Sequence, residues 1–142
     1  MSAGPVPPHW VSFAPQLRSV LRIMAAALFM TAGSTILFAF PTGVPPNGGT
    51  VPLLTQTGLG GALELFGGAL LLVGLFTRPV AFVLAGEMAV AYFQFHAPQG
   101  FWPTVNGGGP AILDCFVFLY LSAAGAGPWS LDALRERARM PR

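Results

Sequence analysis

Four long apolar segments, separated by loops rich in proline and glycine, dominate this chain of 142 residues. They cover residues 17–40, 58–76, 79–97 and 110–126. Each is close to the length of about 20 residues that a helix needs to cross the hydrocarbon core of a bilayer. No proline lies in the interior of a segment, where its missing N–H would leave a carbonyl that lipid cannot satisfy. The sequence therefore predicts an all-α fold, an integral membrane four-helix bundle.

The composition supports the same class of protein. Hydrophobic residues make up 54% of the chain and charged residues only 8%, which is too little charge to cover a water-exposed surface. The net charge of +2 comes from arginines near the segment ends rather than from a basic stretch typical of nucleic-acid binding. Membrane lipids are therefore the expected partners, and nucleic acid is not.

The distribution of arginine predicts the orientation of the bundle. If the chain crosses four times, all seven arginines fall on one side, and the loops 41–57 and 98–109 on the other side contain no Lys or Arg. The arginines are Arg18, Arg22, Arg78, Arg135, Arg137, Arg139 and Arg142. By the positive-inside rule, both termini are expected in the cytoplasm, with 41–57 as an extended first outer loop.

Three regions follow from these boundaries. Residues 1–16 are predicted to be a mobile N-terminal arm, 17–127 the four-helix domain, and 128–142 a cytoplasmic amphipathic tail. Ser130 can cap a short interfacial helix in this tail, with Asp132 in its first turn. Arg18 and Arg22 could pair with Asp132 or reach lipid phosphates instead.

The second segment carries a pattern of small residues. Gly60, Gly67 and Gly74 recur every seven residues, which predicts a smooth ridge for close helix packing. Glu64 lies on the same ridge and is expected to point into the bundle or toward another subunit. It could take part in chemistry or only hold helices together by hydrogen bonds.

Other polar residues fall inside the third and fourth segments. Glu87 lies near the middle of the third, His96 at its outer end, and Asp114 one turn into the fourth. Nine residues separate Glu87 from His96, which places them on opposite helix faces unless the helix end unwinds. With Glu64 they form the candidate catalytic set, for proton relay or for a quinone headgroup, although interhelical hydrogen bonding explains them equally well.

The second outer loop supplies a candidate binding site on the outer side. Trp102 lies between two prolines, where aromatic rings commonly anchor a protein at the membrane interface. The alternative is a headgroup site formed by His96, Trp102 and Asn106. No cluster of metal ligands and no flavin or nucleotide motif is recognisable, so no metal site and no intrinsic cofactor is predicted.

Several motifs resemble the DoxX family of small four-helix bacterial membrane proteins. They are "GALELFGGALLLVGLFTRP", "VLAGEMAVAYFQFHAPQGFWP", "NGG" and "GPWSLD", in the order of the family. Glu64, Arg78, Glu87 and His96 fall on matching positions. The resemblance implies a bacterial cytoplasmic membrane and a link to quinone oxidoreduction, with quinone as the implied cofactor.

The chain departs from the family pattern at two places. Ile36 stands where members often have a lysine, and Gly109 and Pro110 stand where they often have a glutamate. Asp114, one turn further on, could replace that missing acid. These departures favour a structural or accessory role over a conserved catalytic mechanism.

Three functional hypotheses follow. The first is a structural or accessory subunit of a larger membrane complex, which would contact other membrane subunits or a second copy of this chain. The alternative is a quinone-linked oxidoreductase subunit whose carboxylates handle protons, and the third is a small-molecule transporter. The chain has one cysteine, Cys115, so an intrachain disulfide cannot form and a partner or cofactor must supply electrons.

Overall fold

A computed structural model describes residues 9–140, and in this range the protein is built from helices with no strand. A 3₁₀ turn, His9–Phe13, leads directly into helix α1. The five longer helices are α1 (Ala14–Phe38), α2 (Gln56–Val73), α3 (Thr77–Gln99), α4 (Gly109–Ala124) and α5 (Leu131–Arg139), and a single helical turn, Pro103–Asn106, lies between α3 and α4. The first three are long and apolar enough to cross a membrane, whereas α4 is apolar but has only 16 residues. The all-α membrane bundle predicted from the sequence is therefore confirmed.

The N-terminal part of the chain is helical further upstream than predicted. Residues 9–16, assigned to the mobile arm, continue into α1, while residues 1–8 of that arm lie outside the described range. Pro15 fits in the first turn of α1 because its missing N–H would have no partner there in any helix.

Two residues set the ends of α2. The side chain of Thr55 caps the helix by accepting a hydrogen bond from the Gly58 amide at 3.0 Å. Gly74 ends it in the left-handed conformation, with φ of 69°, which costs glycine little because it has no Cβ atom. The second helix therefore ends at Val73 rather than at Phe76.

The bundle is made of two helix pairs that close into one core. Helix α1 packs along α2, and α3 packs along α4. The rings of Phe29 and Phe118 meet edge to face, 4.8 Å between centroids, and join α1 to α4. Leu71 and Leu84 fill the core between the pairs. The N-terminal ends of α1 and α3 and the C-terminal ends of α2 and α4 meet at one end, which we call the arginine end.

Candidate functional site

Glu64 lies at a close approach of α1 and α2. A Cβ atom on Gly33 of α1 would fall 3.0 Å from the Glu64 Cβ and 2.6 Å from the Leu65 amide nitrogen. The helix widens here into a π-helical turn, Leu63–Gly67. Such turns alter the direction of neighbouring side chains and often occur at functional sites. Glu64 is thus held inside the bundle rather than on its lipid face.

The glycines of α2 contact two different helices. A Cβ atom on Gly67 would lie 2.8 Å from the Leu84 side chain, and one on Gly60 would lie 3.2 Å from Glu87 Oε1, so both face α3. Gly61 and Gly68 face α1 in the same way. The close approach predicted for the ridge is located at Gly60 and Gly67. Gly74 lies instead at the C-terminal end of α2.

Three carboxylates from three helices form what we call the acidic cluster: Glu64 of α2, Glu87 of α3 and Asp114 of α4. Glu64 is close enough to both Asp114 and Glu87 for their charges to interact. All three are half-buried. Glu64 Oε2 and Glu87 Oε2 are buried without a hydrogen-bond partner among the described residues. The structure thus brings together three of the four candidate catalytic residues.

His96 lies apart from the cluster, under the loop 98–109. Its Nδ1 atom is 3.0 Å from the Asn106 carbonyl oxygen, and its ring stacks on Tyr92, 6.4 Å between centroids. A π-helical turn, Tyr92–His96, precedes the final 3₁₀ turn of α3, Ala97–Gln99, and changes the face that His96 would occupy in a regular helix. No contact joins His96 to the three carboxylates within residues 9–140.

The candidate outer site is only partly assembled. The Asn106 side chain is occupied in holding the loop, because Nδ2 donates to the Gly100 carbonyl and Oδ1 accepts from the Gly108 amide, both at 2.8 Å. Trp102 is 66% exposed and meets the ring of Phe101 instead. The structure therefore joins His96 to Asn106 through the backbone, and Trp102 stands outside this contact.

The arginine end contains a fully buried charge. Arg22 is 0% exposed and donates hydrogen bonds to four backbone carbonyls. They belong to Leu71 and Leu72 at the end of α2 and to Ala126 and Trp129 in the segment after α4. We call this arrangement the arginine clamp. It satisfies the carbonyl of Leu72, in the last turn of α2, where carbonyls lack an intrahelical partner.

Asp132 ties the C-terminal helix to the turn between α2 and α3. Its two carboxylate oxygens accept hydrogen bonds from the amides of Phe76 and Thr77, each at 2.9 Å. Its own amide donates to the Gly74 carbonyl at 2.9 Å. The carboxylate therefore caps the N-terminus of α3, where the helix dipole favours an anion. Ser130 caps α5 as predicted, through the Ala133 amide.

The remaining described arginines lie at the same end. Arg18 donates to the Ala124 carbonyl at 2.8 Å, and Arg78 donates to the carbonyls of Ser122 and Ala123. Arg142 lies outside the described residues. The sequence alone leaves the role of Arg22 open. The signal that could have identified it is its place inside a span, where a charge needs partners.

Comparisons with known proteins identify the family of the chain. The family model described as DoxX matches residues 17–97, which contain Glu64, Glu87 and His96 but not Asp114. An uncharacterized protein of Haemophilus influenzae is 40% identical over 125 residues, covering 84% of this chain and 91% of that relative. No solved structure matches the chain. By the extent of the family match and the identity of this relative, the chain belongs to the DoxX family.

Proposed function

We propose that this DoxX protein is a membrane subunit of an electron-transfer assembly, in which the acidic cluster exchanges protons with a membrane quinone. A separate partner supplies the electrons. The observation that carries the proposal is the pair of buried oxygens, Glu64 Oε2 and Glu87 Oε2, that have no partner among residues 9–140.

The charge of the acidic cluster requires that protons be bound to it. An ionised carboxylate without a partner costs about 3 kcal/mol near the centre of a bilayer on insertion scales. Two or three such charges near one another also repel. The cluster therefore holds at least one proton, and it can donate that proton or accept another.

A quinone matches the hydrogen-bonding groups of the acidic cluster. A protonated carboxyl group donates a hydrogen bond to a carbonyl oxygen, and a carboxylate accepts one from a hydroxyl group. A quinone has these two oxygen groups in its oxidised and reduced forms, and its reduction consumes two electrons and two protons. Glu64 and Glu87 are suited to exchange such protons because each has an oxygen not committed to the protein.

Membrane quinones also carry an apolar chain, which needs an apolar surface beside the headgroup site. An apolar groove of about 660 Å³ lies between α2 and α3 on the lipid-facing side. Gly67 and Leu84 meet in it, and Phe66 and Val83 are among its walls. Glu64 and Glu87 each lie one helical turn from the Gly67–Leu84 contact, toward the end opposite the arginines. The groove thus offers an apolar surface beside the acidic cluster.

The test uses protein in lipid nanodiscs and a short-chain quinone, decylubiquinone, as the probe. Glu64→Gln and Glu87→Gln should weaken binding by about tenfold, because each loses a group that donates or accepts protons. The melting temperature should stay close to that of the wild type. Glu136→Gln is the matched control, since Glu136 is exposed on α5. Unchanged quinone binding in both span variants would remove the proton-exchange role.

A second candidate is a structural subunit that contacts its partners through the second outer loop. Phe101 and Trp102 support it, because they are 81% and 66% exposed at the tip of this loop. Replacing both with serine should reduce recovery of a stoichiometric membrane partner and leave quinone binding unchanged. If the partner is recovered normally, the loop is an interfacial anchor only.

For orientation, we propose that the arginine end faces the cytoplasm of a bacterial cell, so that both termini are cytoplasmic. The support is that Arg18, Arg22 and Arg78 all bond to helix ends at one end of the bundle. In a Cys115→Ser background, Asn47→Cys should react with a membrane-impermeant maleimide added to spheroplasts. Labelling of a cysteine at Arg135 under the same conditions would reverse the assignment.

A further inference from the structure

A cleft of about 720 Å³ opens at the arginine end, between the ends of α1, α3 and α4 on one side and α5 on the other. Its walls contain five arginines and two acids. The arginines are Arg18, Arg78, Arg135, Arg137 and Arg139. The acids are Asp132 and Glu136. The cleft is therefore basic, and neither the acidic cluster nor Arg22 lines it.

Two of these arginines are fixed in place by the protein. Arg18 uses one nitrogen on the Ala124 carbonyl, and its Nε atom is buried without a hydrogen-bond partner in the described part of the chain. Arg78 uses Nη1 on the carbonyls that end α4. A guanidinium group has five N–H donors, so both side chains retain donors for a ligand. Because they are already oriented, binding would order little further side-chain motion.

The two acids offset only part of the charge of the five arginines. Both oxygens of Asp132 are engaged by the amides of Phe76 and Thr77. Glu136 is exposed on α5 between Arg135 and Arg137. A cation–π contact also fixes α5 in place: the guanidinium group of Arg135 lies over the ring of Phe76, 4.8 Å from the ring centroid. This contact fixes α5 to the start of α3 and holds the basic side chains around one space.

We propose that this cleft binds the phosphate group of an anionic phospholipid such as phosphatidylglycerol. Guanidinium groups pair with phosphate oxygens through two parallel hydrogen bonds, a geometry that arginine provides and lysine does not. The cleft lies at the ends of the spanning helices, where headgroups are located, and Phe76 and Pro15 provide apolar lining beside the charges. This position indicates a lipid rather than a free phosphate as the source of the anion.

The proposal is independent of quinone binding and is tested by lipid binding to detergent-purified protein, followed by native mass spectrometry and thermal melting. Phosphatidylglycerol should bind about tenfold more tightly than phosphatidylcholine and should raise the melting temperature. The double variant R137Q/R139Q should lose that preference, since it removes two charges and keeps the hydrogen bonds of Arg18 and Arg78. Glu136→Gln should bind phosphatidylglycerol more tightly than the wild type.

Two outcomes would overturn the site. The first is equal binding of the two lipids by the wild type. The second is a full preference for phosphatidylglycerol in the folded double variant, as judged by its helical circular dichroism.

Inorganic phosphate at millimolar concentration serves as the other probe. If it displaces phosphatidylglycerol completely and stabilises the protein equally, the lipid assignment is wrong. If the double variant does not fold, Glu136→Gln decides alone, and unchanged binding in it counts against the site.

Discussion

The arginine clamp and the acidic cluster both place charged groups inside the bundle, but they differ in how many hydrogen bonds those groups make. Arg22 is fully buried and donates to four backbone carbonyls. Glu64 and Glu87 are half-buried, and each has a buried oxygen without a partner among the described residues. One region has its polar groups satisfied and the other does not.

This difference separates a structural charge from a candidate functional one. A buried charge that is fully hydrogen-bonded holds helix ends together, and removing it leaves several carbonyls without donors. A buried acid with an uncommitted oxygen contributes little to packing, so its presence needs another explanation. The clamp should therefore control stability, and the cluster should control binding.

The largest effect is expected at the clamp. Arg22→Met should lower the free energy of unfolding by about 3–5 kcal/mol, because the carbonyls of Leu72, Ala126 and Trp129 lose the guanidinium donor at once. Arg22→Lys should not restore it, since one ammonium group cannot reproduce the fork of the guanidinium. Yield and melting temperature in lipid-free detergent measure the effect, with Arg137→Met as the exposed control. A stable Arg22→Met protein would show that the clamp is dispensable.

A smaller effect is expected at the contact between Gly67 of α2 and Leu84 of α3, which lies between the clamp and the cluster. Gly67→Leu should destabilise the bundle by about 1–3 kcal/mol, because the new side chain would overlap Leu84. The matched control is Gly86→Leu, at an exposed glycine whose added Cβ would meet no atom within 4 Å. The melting temperatures of the two variants should differ clearly. Equal values would mean that α2 and α3 separate without loss of stability.

The cap on α3 should matter less again. Asp132→Asn keeps one carbonyl oxygen for the amides of Phe76 and Thr77 but loses the charge and one acceptor. The expected loss is about 1 kcal/mol. Amide hydrogen exchange should speed up at Phe76 and Thr77 first. If exchange is unchanged there, another group caps the helix.

Much of the architecture could be predicted from the sequence, because lipid imposes long helices and excludes proline from their interiors. The boundaries were less predictable where one residue changes the backbone. Gly74 ends α2 early through its left-handed conformation. Helix α1 begins at Ala14, with Pro15 in its first turn, in a segment whose prolines predicted no regular structure.

The candidate site was less predictable than the fold. Glu64, Glu87 and Asp114 could be identified as intramembrane acids, since such residues are rare and point inward. The position of His96 could not be predicted, because a π-helical turn changes helix phase without a clear sequence signal. The clamp also depends on backbone carbonyls, so only Arg22 itself is visible in the sequence.

The smallest effect on stability is expected in the acidic cluster, where Glu87→Gln should change the free energy of unfolding by less than about 1 kcal/mol. The amide keeps the shape of the side chain and removes a charge that the bundle does not neutralise. Glu87→Ala should be slightly less stable than Glu87→Gln, because it leaves a gap opposite Gly60. Thermal melting of both variants beside Arg22→Met measures the contrast between the regions. If Glu87→Gln destabilises the protein as much as Arg22→Met does, then the acid holds helices together as the clamp does, and the division between a structural and a functional charge fails.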